Sequence, residues 1–337
     1  MNHKNRELTF RNLLGKQDYP LLLELTLSSR KADSDPEPIT IDAIANVLAN
    51  MGGLTQEQGV IMAFLDDTPI GYSRLGRYSS RPETRLYYQI SFLREEHRSS
   101  GFWLAMIAEN EHRLSEIAAG HTPVSEQYFQ AWASDRQKDW MAVLASAGYQ
   151  IVRRFNNMFY QLGDAPVKPL PAGVEIRPVM QEHMRQVWEA QKEMNAGLFE
   201  NVAEDWLDEK YPAWLANPEH NPRFWQVAWE GDRLAGMVLA RMDGKENEKQ
   251  QGRHGYTEHI YVRQQWRGRG LASALIARSL QVLKEHGATE AELGVDAENE
   301  SAAFRLYERL GYKTFSVDTW YRKKWRTKSY GNRAKNH

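Results

Sequence analysis

Tyr256-Thr-Glu-His-Ile-Tyr-Val262, followed by Arg-Gln-Gln-Trp-Arg267-Gly-Arg-Gly270-Leu-Ala272-Ser, reads as a strand, a tight turn and the opening of a helix. Leu271, Leu275, Ser279 and Val282, flanked by Ile276 and Leu283, repeat at helical spacing, and Gly287 after His286 supplies a stop. Gly268 and Gly270 therefore sit at a helix N-terminus. The first amides of a helix lack intrahelical acceptors and lie at the positive end of the dipole, a combination that favours phosphate or diphosphate. A side chain at Gly270, or a large one at Ala272, would hold such an anion away, while Arg267 and Arg269 add long-range attraction. A glycine turn alone is weak, because short glycine motifs match by chance.

Working outward, the same landmarks occur twice, roughly 165 residues apart, which is one domain length. Leu8 to Arg11 and Val174 to Arg177 read as opening strands. Val60–Leu65 and Ile70–Leu75 form one expected hairpin about Asp66-Asp67, and Trp225–Trp229 with Leu234–Leu239 form another about Glu230-Gly-Asp232. Tyr87 to Leu93 then runs into Arg98-Ser-Ser-Gly101, as Tyr256 to Val262 runs into Arg267-Gly-Arg-Gly270. Each half closes on a helix, a Gly-Tyr pair (Gly148-Tyr149, Gly311-Tyr312) and a final strand. Gly163 to Gly173 carries three prolines and reads as an extended linker. The expected organisation is a first domain over 6–162, a linker over 163–173, a second domain over 174–326 and a basic tail over 327–337. Each half is an α/β (α+β) unit, a mixed, mostly antiparallel sheet flanked by helices.

The 337 residues are enough for two cores of about 150 residues each. A formal net charge of −1 implies no global attraction to nucleic acid or membrane. The absence of cysteine excludes disulfides, thiolate metal clusters and a cysteine nucleophile, and fits a cytoplasmic address. The polar N-terminus shows no signal peptide, and no stretch is long and apolar enough to span a bilayer. The basic tail reads as solvated, without a nucleic-acid-reading module. No His-Glu-x-x-His, Gly-x-Ser-x-Gly, phosphate-loop or calcium-loop pattern occurs, and no metal site is expected.

Arg267-x-x-Gly270-x-Ala272 resembles the Gln/Arg-x-x-Gly-x-Gly/Ala signature of the GCN5-related N-acetyltransferases (the GNAT family). Val262 is similar to that family's strand-end valine, and Asn299-Glu-Ser-Ala-Ala-Phe-Arg-Leu-Tyr307-Glu-Arg-Leu-Gly311-Tyr312 to its second cofactor-side motif. The halved layout resembles tandem members of the family. The resemblance implies two GNAT domains and a V-shaped opening between the strand ending at Val262 and a strand from Glu290 to Asp296, into which the pantetheine arm of acetyl-CoA (coenzyme A) inserts. It further implies that main-chain groups of Ile260 and Val262 pair with the arm, that amides of Arg267, Gly268, Arg269, Gly270, Leu271 and Ala272 hold the diphosphate, and that Asn299 touches the arm from the other side.

For an amine attacking a thioester, a base, an oxyanion donor and an acid are needed. Glu258 is the expected base, placed by simple alternation on the same strand face as Ile260 and Val262; the competing reading is a surface carboxylate paired with Arg263 or Arg253. The N–H near Tyr261 is the expected oxyanion donor, and Tyr307 matches the family's thiolate-protonating tyrosine, with core packing as its alternative. His259 is expected on the opposite face in a structural role, and His254 as a weaker base. Asn299 also suits a helix cap.

Aligning the halves on their arginines sets Gln89 at Glu258, Leu93 at Val262, Trp103 at Ala272 and, counting back from Gly148, Leu144 at Tyr307. The first half is thus expected to be a degenerate copy. The acceptor region, about 182–223 with the loop 243–255, offers Glu193, Glu200, Glu204, Asp205, Asp208 and Glu209 to a cationic amine, and the tryptophans read as core or substrate wall. The expected function is N-acetyl transfer to a primary amine of a small molecule or peptide, with no nucleic-acid or membrane partner and the oligomeric state open. The alternative is a non-catalytic acyl-CoA sensor or scaffold.

Overall fold

The computed structural model describes residues 7–35, 39–49, 51, 53–81, 83–163, 165–196, 206–242, 253–297 and 302–325. The first half runs β1 (Leu8–Asn12), α1 (Tyr19–Ala32), α2 (Ile41–Ala49), α3 (Gln56–Gly59), β2 (Val60–Leu65), β3 (Thr68–Arg81), β4 (Thr84–Leu93), α4 (Phe102–Ala119), β5 (Glu126–Ser134), α5 (Lys138–Ser146) and β6 (Gln150–Gln161). The second repeats the series as β7 (Glu175–Ile176), α6 (Met184–Ala196), α7 (Tyr211–Leu215), β8 (Trp225–Glu230), β9 (Arg233–Met242), β10 (Arg253–Val262), α8 (Leu271–Glu285), β11 (Ala288–Asp296), α9 (Ala302–Leu310) and β12 (Lys313–Lys324). Both expected hairpins form. Asp66 and Asp67 close the first with φ of 49° and 65°, the left-handed pair that a two-residue loop between twisted strands demands.

Two compact units emerge, residues 1–152 with 319–337, and residues 153–318. Their boundaries fall inside β6 and β12 rather than in the 163–173 linker, so each unit completes its sheet with chain from the other half. In the second unit, β6 lies antiparallel to β11, from Gln161 opposite Glu290 to Phe155 opposite Asp296, and the order runs β12-β6-β11-β10-β9-β8-β7. In the first, the order is β1-β2-β3-β4-β5 and then the end of β12, where the Trp325 amide donates to Gln127 O at 2.9 Å. The described linker residues 165–171 carry no helix or strand, and Ala165 and Leu170 pack on the second unit's core.

In each unit the sheet is apolar on both faces and carries a core on each. In the second unit α8 and α9 bury Leu271, Leu275, Leu280, Leu283 and Tyr307 with Ala235, Val238 and Met158, while α6 packs Val187 and Ala190 against Val227, Met237 and Leu239 on the other face. In the first unit α4 and α5 cover one face and α1 and α2 the other. Among the described residues no helix is long and apolar enough to cross a membrane.

Candidate active site

β10 pairs in parallel with β11 only as far as Tyr256 opposite Glu292; beyond that the two strands part. The other edge of β10 stays on β9 to Val262 opposite Gly236, and β11 stays on β6 to Asp296. Facing N–H and C=O groups on the parted stretch have no ladder partner, so a V-shaped gap with unpaired backbone on its walls follows from the register itself.

Below the gap the chain turns through Gly268 (φ 73°) and Gly270 (φ 84°) into α8. Gly270 is the N-cap, and the first amide of the helix with a backbone acceptor is that of Ala274, which donates to Gly270 O at 3.1 Å. Leu271, Ala272 and Ser273 precede that bond, so their amides face outward. A Cβ built on Gly268 or Gly270 meets nothing within 4 Å, which leaves room for an anion. Leu271 contributes only its amide, its side chain being core. The Arg267 Nε donates to Val262 O at 3.0 Å, tying the turn to the strand end, and Arg269 lies over the Trp266 ring at 4.8 Å. These residues fit a diphosphate. Asn299 lies outside the described residues.

The expected side-chain alternation along β10 fails. Glu258 is in register with Leu239 and Tyr261 with Met237, so His259 and Ile260 together oppose Val238, and His259 takes φ 47°. This β-bulge reverses the facing of everything beyond it. Ile260 and Val262 join the core under α8, whereas Tyr261 packs in the α6 core. Glu258, opposite Leu239 of that same α6 core, therefore stands on the other face from Ile260 and Val262, correcting the placement expected from period two. Arg263 pairs instead with Glu193, and the Arg253 side chain lies outside the described residues; Arg241 Nε lies 3.2 and 3.3 Å from the two Glu258 carboxylate oxygens, and its guanidinium lies over Tyr256 at 3.8 Å.

Tyr307 is buried at 8% exposure, inside the α8/α9 core with its ring 6.0 Å from that of Tyr312, and burial pushes its phenol up to about 12. It is both a core residue and a phenol that stays protonated at neutral pH. His259 is exposed as a residue at the bulge, while its imidazole is packed among neighbours and held below the ordinary value by its own burial, against an upward pull from Glu258 and with a further downward push from Arg241. His254 Nδ1 sits 3.3 Å from Glu292 Oε1, and His254, Glu290 and Glu292 bring ligand atoms within 4.8 Å of one another at the closed end of the gap.

The acceptor-side acids are largely engaged. Glu193 accepts from Tyr261 Oη at 2.9 Å and Arg263 Nη2 at 3.0 Å, and Asp208 pairs with Arg185 at 2.9 Å. Glu200, Glu204, Asp205 and the loop 243–252 lie outside the described residues. Trp188, Trp206, Trp214 and Trp225 form a chain of ring contacts of 4.6 to 6.3 Å that His220 joins, with Trp188 and Trp225 buried in it.

In the first unit, Leu93 pairs with Gly71 as Val262 pairs with Gly236, but β4 has no bulge between them, so Ile90, opposite Arg74, takes the position of Glu258. Gln89 instead matches Thr257: Gln89 Nε2 donates to Tyr149 Oη at 2.5 Å, as the Thr257 hydroxyl lies 2.8 Å from Tyr312 Oη. Leu144 does match Tyr307, since Tyr149 N donates to Leu144 O and Tyr312 N to Tyr307 O, both at 3.0 Å.

The profile of the Acetyltransferase (GNAT) family matches residues 184–312. An N-alpha-acetyltransferase 30 from Schizosaccharomyces pombe is 36% identical over 91 residues, covering 27% of this chain and 58% of its own. A mycothiol acetyltransferase from Geodermatophilus obscurus is 28% identical over 216 residues, covering 63% of this chain and 67% of its own. The chain thus spans between 58% and 67% of these two curated relatives. The crystal structure of a GCN5-related N-acetyltransferase from Sphaerobacter thermophilus superposes with a TM-score of 0.75 at 22% identity, over 95% of this chain and 96% of that one, which shows the fold. With the repeat, the parted strands and the glycine turn, the second half of the chain is similar to the GNAT family over residues 184–312, and the tandem layout resembles that of the mycothiol acetyltransferases.

Proposed function

We propose that this chain transfers an acetyl group from acetyl-CoA to a primary amine of a small molecule or peptide, in its second unit. The observation that carries the reading is the parting of β10 from β11 after Tyr256, directly above the outward-facing amides that begin α8. Backbone edges of Ile260 and Val262 receive the pantetheine arm as an added strand, and the amides from Arg267 through Ala272 receive the diphosphate. Asn299 contacts the arm from the β11 side. The relatives' names, one an N-alpha-acetyltransferase and one a mycothiol acetyltransferase, share the acetyl transfer and differ in acceptor. The donor is therefore carried over and the acceptor is left as an amine.

The amine attacks the thioester carbonyl, and the oxyanion that forms is met by backbone N–H at the bulge near Tyr261. Tyr307, protonated because its phenol is pushed up to about 12, gives its proton to the departing thiolate. Glu258 is the carboxylate that drives removal of the amine proton. With Arg241 Nε against both its oxygens, it acts through a neighbouring group rather than by direct contact. The first unit is a degenerate copy without turnover of its own, in a structural or substrate-shaping role, and the protein works in the cytoplasm.

Calorimetric titration with acetyl-CoA, followed by acetylation assays across small amines and peptide N-termini, tests this. Micromolar binding and turnover of at least one amine are expected. Tight binding with no turnover, unaffected by Glu258→Gln or Tyr307→Phe, would establish an acyl-CoA sensor instead.

A further inference from the structure

His259 is the one described residue of β10 that leaves extended conformation, at φ 47°, and it does so where the strand has just left β11. Positive φ is uncommon for any residue but glycine, histidine being among those that accept it more readily, and the flanking pairs, Glu258 with Leu239 and Tyr261 with Met237, hold it there. The consequence is a residue exposed at the bulge, on a strand whose other described members near it are at least partly buried, with an imidazole that is itself packed among neighbours. Around it stand the Glu258 carboxylate on the same strand, the Arg241 guanidinium on β9 and the His220 imidazole from the segment after α7. His220 packs against Trp214 at 4.6 Å and Trp225 at 5.4 Å, so this edge of the gap faces that chain of rings. Burial lowers both imidazoles; the charge of His259 lowers His220 further, Glu258 raises His259 and Arg241 lowers it. At neutral pH His259 is therefore an unprotonated base.

We propose that His259 is the group that takes the proton from the acceptor amine, with Glu258 as the charge that stabilises the imidazolium. The proposal rests on the acetyl-transfer reading and assigns the neighbouring group that reading requires. The amine nitrogen forms its bond to the carbonyl carbon, the carbon–sulfur bond breaks, and sulfur takes the Tyr307 proton. The imidazole nitrogen takes the proton lost by the amine and releases it to solvent after the product leaves, and solvent returns a proton to Tyr307. A paired carboxylate is a weak acceptor for an ammonium proton, whereas an imidazole lies near the working pH.

The test is His259→Asn, because asparagine accepts left-handed backbone and preserves the bulge. Expected are unchanged acetyl-CoA affinity and thermal midpoint, kcat/KM lowered about 100-fold at neutral pH, loss of the acid limb of kcat/KM expected of the wild type as its lowered imidazole takes up a proton, and partial rescue by added imidazole. Glu258→Gln should keep that limb and move it to lower pH, since removing the negative charge disfavours the imidazolium. Wild-type kcat/KM and an intact limb in His259→Asn, or loss of the limb in Glu258→Gln with His259 present, overturns the proposal and leaves acetyl transfer standing. Failure of the wild type to bind acetyl-CoA or to acetylate any amine overturns the acetyl-transfer reading, and this assignment with it.

Discussion

Gly101 and Gly270 begin their helices with nearly the same backbone, φ 76° and 84°, yet only the second corner is fitted to an anion. In the first unit Trp103, two residues past the glycine, is 2% exposed and packs tilted against Trp140, ring centroids 4.8 Å apart. Arg98, the counterpart of Arg267, is drawn away from the turn: its guanidinium meets Asp33 at 2.5 and 3.1 Å and Ser29 O at 2.8 Å. A carboxylate of the protein has taken the arginine, and an indole stands where the other unit has Ala272. The helix cap, the Gly-Tyr closure and the parallel strand pair all persist, because packing requires them whether or not a ligand binds. What distinguishes the units is a few side chains and one inserted strand residue.

The sharpest way to break this contrast is to move the indole. Ala272→Trp should lower acetyl-CoA affinity at least about 100-fold by calorimetry, as bulk and lost amide contacts combine at the diphosphate. Its folding is expected to survive, since Trp103 occupies the same helical position in α4. Retained affinity would mean that the helix start is not the diphosphate site.

Next in size, Tyr307→Phe should reduce kcat by about 10–100-fold with acetyl-CoA affinity unchanged, and Tyr307→Leu, which copies Leu144, should do the same with added loss of stability from the smaller side chain. Equal kcat in the phenylalanine variant would leave Tyr307 as core only. In the first unit Trp103→Ala should cost about 3–5 kcal/mol in denaturant unfolding of that unit without creating a second acetyl-CoA site, because Arg98 remains with Asp33. Appearance of a second equivalent of bound acetyl-CoA would show that the indole alone closes the corner.

The smallest effect concerns alkaline stability. Tyr307 is raised in the folded state, so the folded chain holds its proton longer than the unfolded chain does. The stability it contributes is full below the unfolded value near 10 and is lost progressively as pH rises toward about 12. Tyr307→Phe should flatten that part of the stability curve in thermal melts, whereas an unchanged slope would place the phenol in water.

Much of the fold was legible because it rests on local patterns. Asp66-Asp67, Gly268, Gly270, Gly148 and Gly311 punctuate the chain where positive φ is needed, and the apolar periods between them set the elements. The helix-start corner and the equivalence of Leu144 with Tyr307 were readable for the same reason. Misreadings cluster at one place. Nothing in Thr257-Glu-His-Ile-Tyr261 announces an extra residue, as no glycine marks it, so alternation set Glu258 beside Ile260 and set Gln89 one position out of register. The partner of Glu258 was missed too, since Arg241 is seventeen residues away in sequence and adjacent only across the sheet.

Sequence alone determined that the chain is a duplicated α/β architecture, that one copy keeps a glycine-opened helix start, and that the other has lost its small residue and its tyrosine. These are properties of neighbouring residues, carried by turn chemistry and periodicity. Tertiary structure decided which face of β10 each side chain occupies, which charges are already spent on one another, and that each unit's sheet takes in a strand segment from the other half of the sequence, β6 in the second unit and the end of β12 in the first. Those depend on strand register between distant segments, and a slip of a single residue, set by pairing and by no local signal, turns every side chain beyond it to the other side.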